Sequence, residues 1–130
     1  MKRLFSSVAF CLKSTFIFAQ ATVSETEKIA TFCKVWSFLK YYHPVVATGK
    51  IDWDKEFTTK MDSVRSFNTK QQINAFYSRW LNNLGEIKFC NSCNNNISDS
   101  LKFNLDNSWL YHSTRFTNQV MNQLQYVLPR

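Results

Sequence analysis

Nucleophiles, bases and metal ligands are few in this chain, and their spacing limits the chemistry open to it. There are four cysteines, Cys11, Cys33, Cys90 and Cys93, and two histidines, His43 and His112. Nucleophilic hydrolysis needs an activated Ser or Cys, a base within hydrogen-bond reach and an oxyanion hole, usually framed by a sharp glycine turn. Gly49 and Gly85 are the only glycines, and neither adjoins a serine or a cysteine. His43 precedes Pro44 at an expected helix end, where histidine more often packs or caps than reacts. The residues therefore predict no catalytic side chain and no cofactor.

Cys90 and Cys93 form the one closely spaced pair. They supply two of the four ligands that zinc requires, and Cys33 with His112 complete the set only if the fold gathers them. The spacing matches no finger or ribbon. A thioredoxin-like role needs a strand before the motif and a helix opening at its first cysteine, whereas asparagines at 91, 94, 95 and 96 surround this one. A local disulfide, a metal site and free thiols remain as readings, with no metal site expected. Asp52, Asp54 and Glu56 cluster in an expected first helical turn, where the helix dipole favours negative charge. They lack the glycine turn and alternating oxygen ligands of a calcium loop.

Composition narrows the partners. The chain has 130 residues, enough for one domain, and its 45% hydrophobic and 16% aromatic content is that of a chain that buries a core. Formal charge is +7, from 16 basic and 9 acidic residues. No lysine and arginine run forms a continuous stripe, and the aromatics recur at core spacing, so nucleic acid is not an expected partner. Met1-Lys2-Arg3, an apolar run from Leu4 to Phe18 and the small residues of Ala19-Gln20-Ala21 read as a secretory signal over residues 1–21. Its removal takes away Lys2, Arg3 and Lys13, leaving 13 basic against 9 acidic residues and a balance of +4. The run is too short to span a bilayer, so no membrane partner is expected after cleavage. Export places the protein in the periplasm or outside the cell, an oxidising setting that favours a disulfide between Cys90 and Cys93.

The elements that must position these residues read as helices, since 2 Gly and 2 Pro are too few for an all-β domain. The fold class expected for residues 22–130 is all-α, a small bundle of about four amphipathic helices with an Asn/Cys-rich loop between the third and fourth. The first helix runs from about Ser24 to Tyr42, opened by a capping box of Ser24 and Glu27, with Ile29, Phe32, Cys33, Trp36 and Leu39 on its apolar face. Pro44 ends it. The second spans about Asp52 to Arg65 with Trp53, Phe57, Met61 and Val64 inward. The third, about Thr69 to Leu84, carries Ile73, Phe76, Tyr77, Trp80, Leu81 and Leu84 on one face, and Gly85 follows as a left-handed cap. Periodicity is lost from Glu86 to Trp109. The fourth starts near Ser113 or Thr114 and carries Phe116, Val120, Met121, Leu124 and Leu128. Trp36 and Trp80 are expected in the core.

Particular words in the chain go further than its averages. Lys34-Val-Trp-Ser-Phe-Leu-Lys-Tyr-Tyr-His-Pro44, then Gly49-Lys-Ile-Asp-Trp-Asp54, resembles a segment near the N-terminus of exported bacterial serine peptidases of the C-terminal-processing (tail-specific, tricorn-like) family. Trp80-Leu-Asn-Asn-Leu-Gly85, Cys90-x-x-Cys93 and Asn104-Leu-Asp-Asn-Ser-Trp109 look like later landmarks of the same region, so the likeness runs from about Glu27 to Arg130. The resemblance implies a helical domain that precedes a crotonase-like α/β peptidase domain. In the family the nucleophilic serine, its base and the oxyanion hole lie in that later domain, and no position here matches their motifs. The implied role is scaffolding or presentation of polypeptide substrate to the peptidase domain, with Lys40, Tyr41, Tyr42 and His43 as a docking surface. The same corner also reads as a helix terminus tucked onto the second helix. The alternative function is an independent exported binding module that uses the Cys90 and Cys93 loop.

Overall fold

In the computed structural model the described residues are 22–87 and 106–128, and every regular element among them is helical. The order is α1 (Glu25–Tyr42), α2 (Pro44–Ala47), α3 (Trp53–Ser66), α4 (Lys70–Asn83), α5 (Trp109–His112) and α6 (Asn118–Val127). The all-α bundle expected from periodicity is what forms. The expected signal segment, Cys90, Cys93 and most of the asparagine-rich loop lie outside the described residues. No helix among the described residues is long and apolar enough to cross a membrane.

The helix starts follow from their caps. Ser24 Oγ accepts from the Glu27 amide at 3.2 Å, Asp52 Oδ1 from the Lys55 amide at 3.0 Å, and Thr117 Oγ1 from the Val120 amide at 3.4 Å. Each cap satisfies one amide that the helix cannot pair internally. The reciprocal capping box forms at Thr69 and Gln72. At the expected box, Glu27 spends its carboxylate on Arg115 Nε at 2.8 Å. Gly85 closes α4 with φ +90, a left-handed conformation that a side chain would strain.

Two short helices escape a reading by periodicity. Pro44 ends α1 and then serves as first residue of α2, where its missing amide costs nothing and its fixed φ suits the turn. α5 lies where the pattern is lost, and it displaces the start of the last helix from Ser113 or Thr114 to Asn118. One turn is too short to display a helical period.

All six residues expected on the inner face of α4 are buried. Around them α1 packs on α3, and α6 packs on α4 and α5. α1 departs most from expectation, because Val35 and Phe38 are buried while Ile29, Cys33 and Trp36 are only partly so. The cause is the number of neighbours. Phe32 meets Phe57 of α3 and Phe76 and Trp80 of α4, while Phe38 meets Trp109 of α5 edge-on at 5.6 Å. A helix enclosed on several sides needs a wider apolar band than a single stripe.

Candidate functional site

Two of the sequence words singled out above, one in α1 and the other at the start of α3, meet at one corner. Trp36 Nε1 donates to the Trp53 carbonyl at 3.0 Å, and Trp53 Nε1 donates back to the Trp36 carbonyl at 3.2 Å. The two rings lie nearly parallel, 13° apart with centroids at 6.3 Å. Trp80 of α4 also stacks on Trp53, again at 13°, with centroids at 5.4 Å. Trp53 is thus the middle of a column of three indoles.

Polar groups complete the column. Trp80 Nε1 donates to Glu56 Oε2 at 3.2 Å, so all three indole N–H groups are paired. An indole buries a large apolar surface, and its single donor needs a partner once water is excluded. Lys40 reaches Asp54 Oδ1 at 3.3 Å while its ammonium lies 4.7 Å from the Trp36 ring centroid. Lys40 and Asp54 are solvent-accessible, so the pair contributes little on its own, and the aromatic face adds a cation–π contact.

The four residues expected to form a docking surface separate. Tyr41 is 77% exposed. Tyr42 stacks on Phe38 with centroids at 4.9 Å, and Lys40 is held over Trp36. His43 is 2% exposed, so it does not belong to an outer face. Its amide donates to the Leu39 carbonyl and its carbonyl accepts from the Ala47 amide, which makes it the hinge residue between α1 and α2. Burial depresses the imidazole pKa below its ordinary value of 6.5.

Of the remaining chemistry-bearing residues, Cys33 is a half-buried free thiol on α1 and His112 ends α5 in solvent. The structure does not bring Asp52, Asp54 and Glu56 together as a cation site, since each has separate work: Asp52 caps α3, Asp54 pairs with Lys40 and Glu56 accepts from Trp80. Among the described residues no group of three His, Cys, Asp or Glu is placed to hold a metal ion. The later landmark ending at Trp109 also packs inward. Trp109 touches Phe38 and Phe116, Lys34 lies 5.1 Å over its ring, and Asp106 accepts from the Ser108 hydroxyl and amide, which lowers its pKa.

Comparisons with family models, with curated proteins and with solved structures all return nothing similar to the chain. The motif residues of the corner hold one another, through indole to carbonyl bonds and ring stacking, and the arrangement is that of a structural clasp.

One polar residue of the molecule gave no signal in the sequence. Lys28 is 6% exposed, and its ammonium donates to the Arg65 carbonyl at 2.8 Å and the Phe67 carbonyl at 2.7 Å. It closes the C-terminal end of α3 from a helix almost forty residues away. Lysine on a helix reads as solvent-facing unless the unpaired carbonyls it will meet are known.

Proposed function

We propose that this chain is a non-catalytic, exported N-terminal helical domain of a serine-peptidase-like protein, a scaffold that packs beside a peptidase domain and helps present polypeptide to it. The observation that carries the reading is the reciprocal indole clasp. The two most particular words of the resemblance, one ending α1 and the other opening α3, are in contact, with each tryptophan donating to the other's carbonyl. Residues kept together for packing fit a structural domain better than a reaction centre. The chemistry-bearing side chains at that corner are also already engaged, His43 by burial, Lys40 by Asp54 and Glu56 by Trp80.

The test has two arms. Purified protein incubated with an unfolded polypeptide is expected to leave it intact; sustained hydrolysis abolished by a single Ser or His substitution overturns the reading. Mixed with the separately produced peptidase domain of a tail-specific family protein, the chain is expected to associate. Tyr41→Ala, which alters the exposed tip of the corner and leaves the core alone, is expected to weaken that association. No association in either case removes the scaffold role.

A further inference from the structure

A cleft of about 690 Å³ opens between the C-terminal ends of α4 and α6, beside the hinge of α1 and α2. Its volume lies within the range of small-ligand sites. Asn82, Asn122 and Gln123 supply three carboxamides to its wall, His43 and Tyr126 add polar tips, and Glu86 is the one carboxylate among the described lining residues. Among the described lining residues none is a lysine or arginine, so they offer a phosphate or carboxylate no compensating charge.

Two acceptors at this wall lack donors. Gln123 is held by its Nε2, which donates to Asn82 Oδ1 at 2.7 Å and, more weakly, to the Ser78 carbonyl at 3.4 Å. That leaves Gln123 Oε1 buried without a partner among the described residues, and His43 Nδ1 is in the same condition. Buried polar atoms in folded proteins are nearly always paired, so these two, on residues that line the cleft, are open to a hydrogen-bonding partner there. Gln123 Oε1 can only accept, and His43 Nδ1 accepts in the neutral tautomer that carries its proton on Nε2, so the group that suits both brings N–H donors. The free side-chain NH2 groups of the wall ask in turn for carbonyl oxygens. A planar unit that offers one N–H and one C=O is an amide.

We propose that this cleft binds the main chain of a short uncharged peptide, with Gln123 Oε1 and His43 Nδ1 accepting from its N–H groups and the Asn82 and Asn122 carboxamides donating to its carbonyls. Leu81 and Val127 form the apolar floor beneath it. Both atoms are buried in the free chain, so the peptide reaches them as the two side chains turn. The inference rests on the cleft alone and holds whether or not a peptidase domain accompanies the chain.

The experiment titrates N-acetyl-trialanine amide into the 15N-labelled chain and follows backbone and side-chain amide signals. Saturable shifts centred on the side-chain NH2 signals of Gln123, Asn82 and Asn122 are expected, with none from acetate or inorganic phosphate at equal concentration. Gln123→Leu is expected to weaken binding about tenfold, the consequence of losing a buried acceptor. Asn122→Ala, at an exposed position, is expected to weaken it by a few-fold without affecting folding, so it decides the matter if the first variant fails to fold. Three results overturn the proposal: no saturable shift up to about 10 mM peptide, equal shifts from acetate, or undiminished binding by a folded variant.

Discussion

Lys28 lays its aliphatic stem along the bundle interior and delivers its ammonium to two carbonyls at the end of α3. Replacing it with methionine keeps the stem and removes the donor, leaving both carbonyls unpaired. Lys28→Met is expected to lower unfolding free energy by about 2 kcal/mol, read as a reduced urea midpoint with unchanged slope. His43 gives the molecule an acid-side weakness. In the unfolded chain its imidazole takes up a proton near its ordinary value of 6.5, whereas burial delays that uptake in the fold. The unfolded state therefore holds more protons once pH falls below that value, and stability is lost until the depressed folded value is passed. The urea midpoint is expected to fall as pH drops through the ordinary value of 6.5 toward the depressed folded one, and His43→Gln is expected to flatten that decline. Neither role was legible from the sequence. Lys28 gave no sign of its carbonyl partners, and His43 beside Pro44 reads equally as a tucked end or an exposed tip.

Helices α1, α3 and α4 were legible because each begins at a side-chain cap and repeats apolar residues for three turns or more. Hidden elements were short or decided by neighbours: one-turn α2 and α5, and the band of α1 that widens to include Val35 and Phe38. Trp36 shows the limit of pattern reading, since its spacing marks it as core and the fold leaves it partly buried at the outer end of the column. Trp80 is 4% exposed and touches four other aromatic rings, those of Phe32, Trp53, Phe76 and Tyr77. Trp80→Ala is expected to cost about 3 to 5 kcal/mol, and Trp36→Ala clearly less, in denaturant titrations of the two variants. The start of α6 depends on another single residue. Asn74 Oδ1 accepts from the Thr117 amide at 2.7 Å, while its Nδ2 donates to the Arg115 carbonyl at 3.1 Å and the Lys70 carbonyl at 2.9 Å. Asn74→Ala strands these groups, and hydrogen exchange is expected to show α6 opening at lower free energy than α4, with a loss of about 2 kcal/mol.

For the whole molecule, the helices divide into two layers of dependence. α1, α3 and α4 share the tryptophan column, while α6 rests on α4 and holds α5 through Gln125 Nε2, which donates to the Leu110 carbonyl at 2.6 Å. The exported-domain reading and the peptide cleft call on different surfaces, the corner at Tyr41 and the α4 and α6 ends, so their tests do not interfere. The cleft could not be foreseen in the sequence. Its walls come from positions 43, 81–87 and 122–127, which no local pattern connects.

The column also gives the molecule its own optical signature. Three of the four tryptophans lie in one stack with neighbouring planes 13° apart, close enough for their electronic transitions to couple. A strong near-ultraviolet circular dichroism signal is expected from that coupling and should vanish when α3 parts from α1 or α4, even while the far-ultraviolet spectrum still reports helix. Comparing the two bands during a thermal ramp would distinguish loss of the junction from loss of the helices themselves, with no dye or label attached.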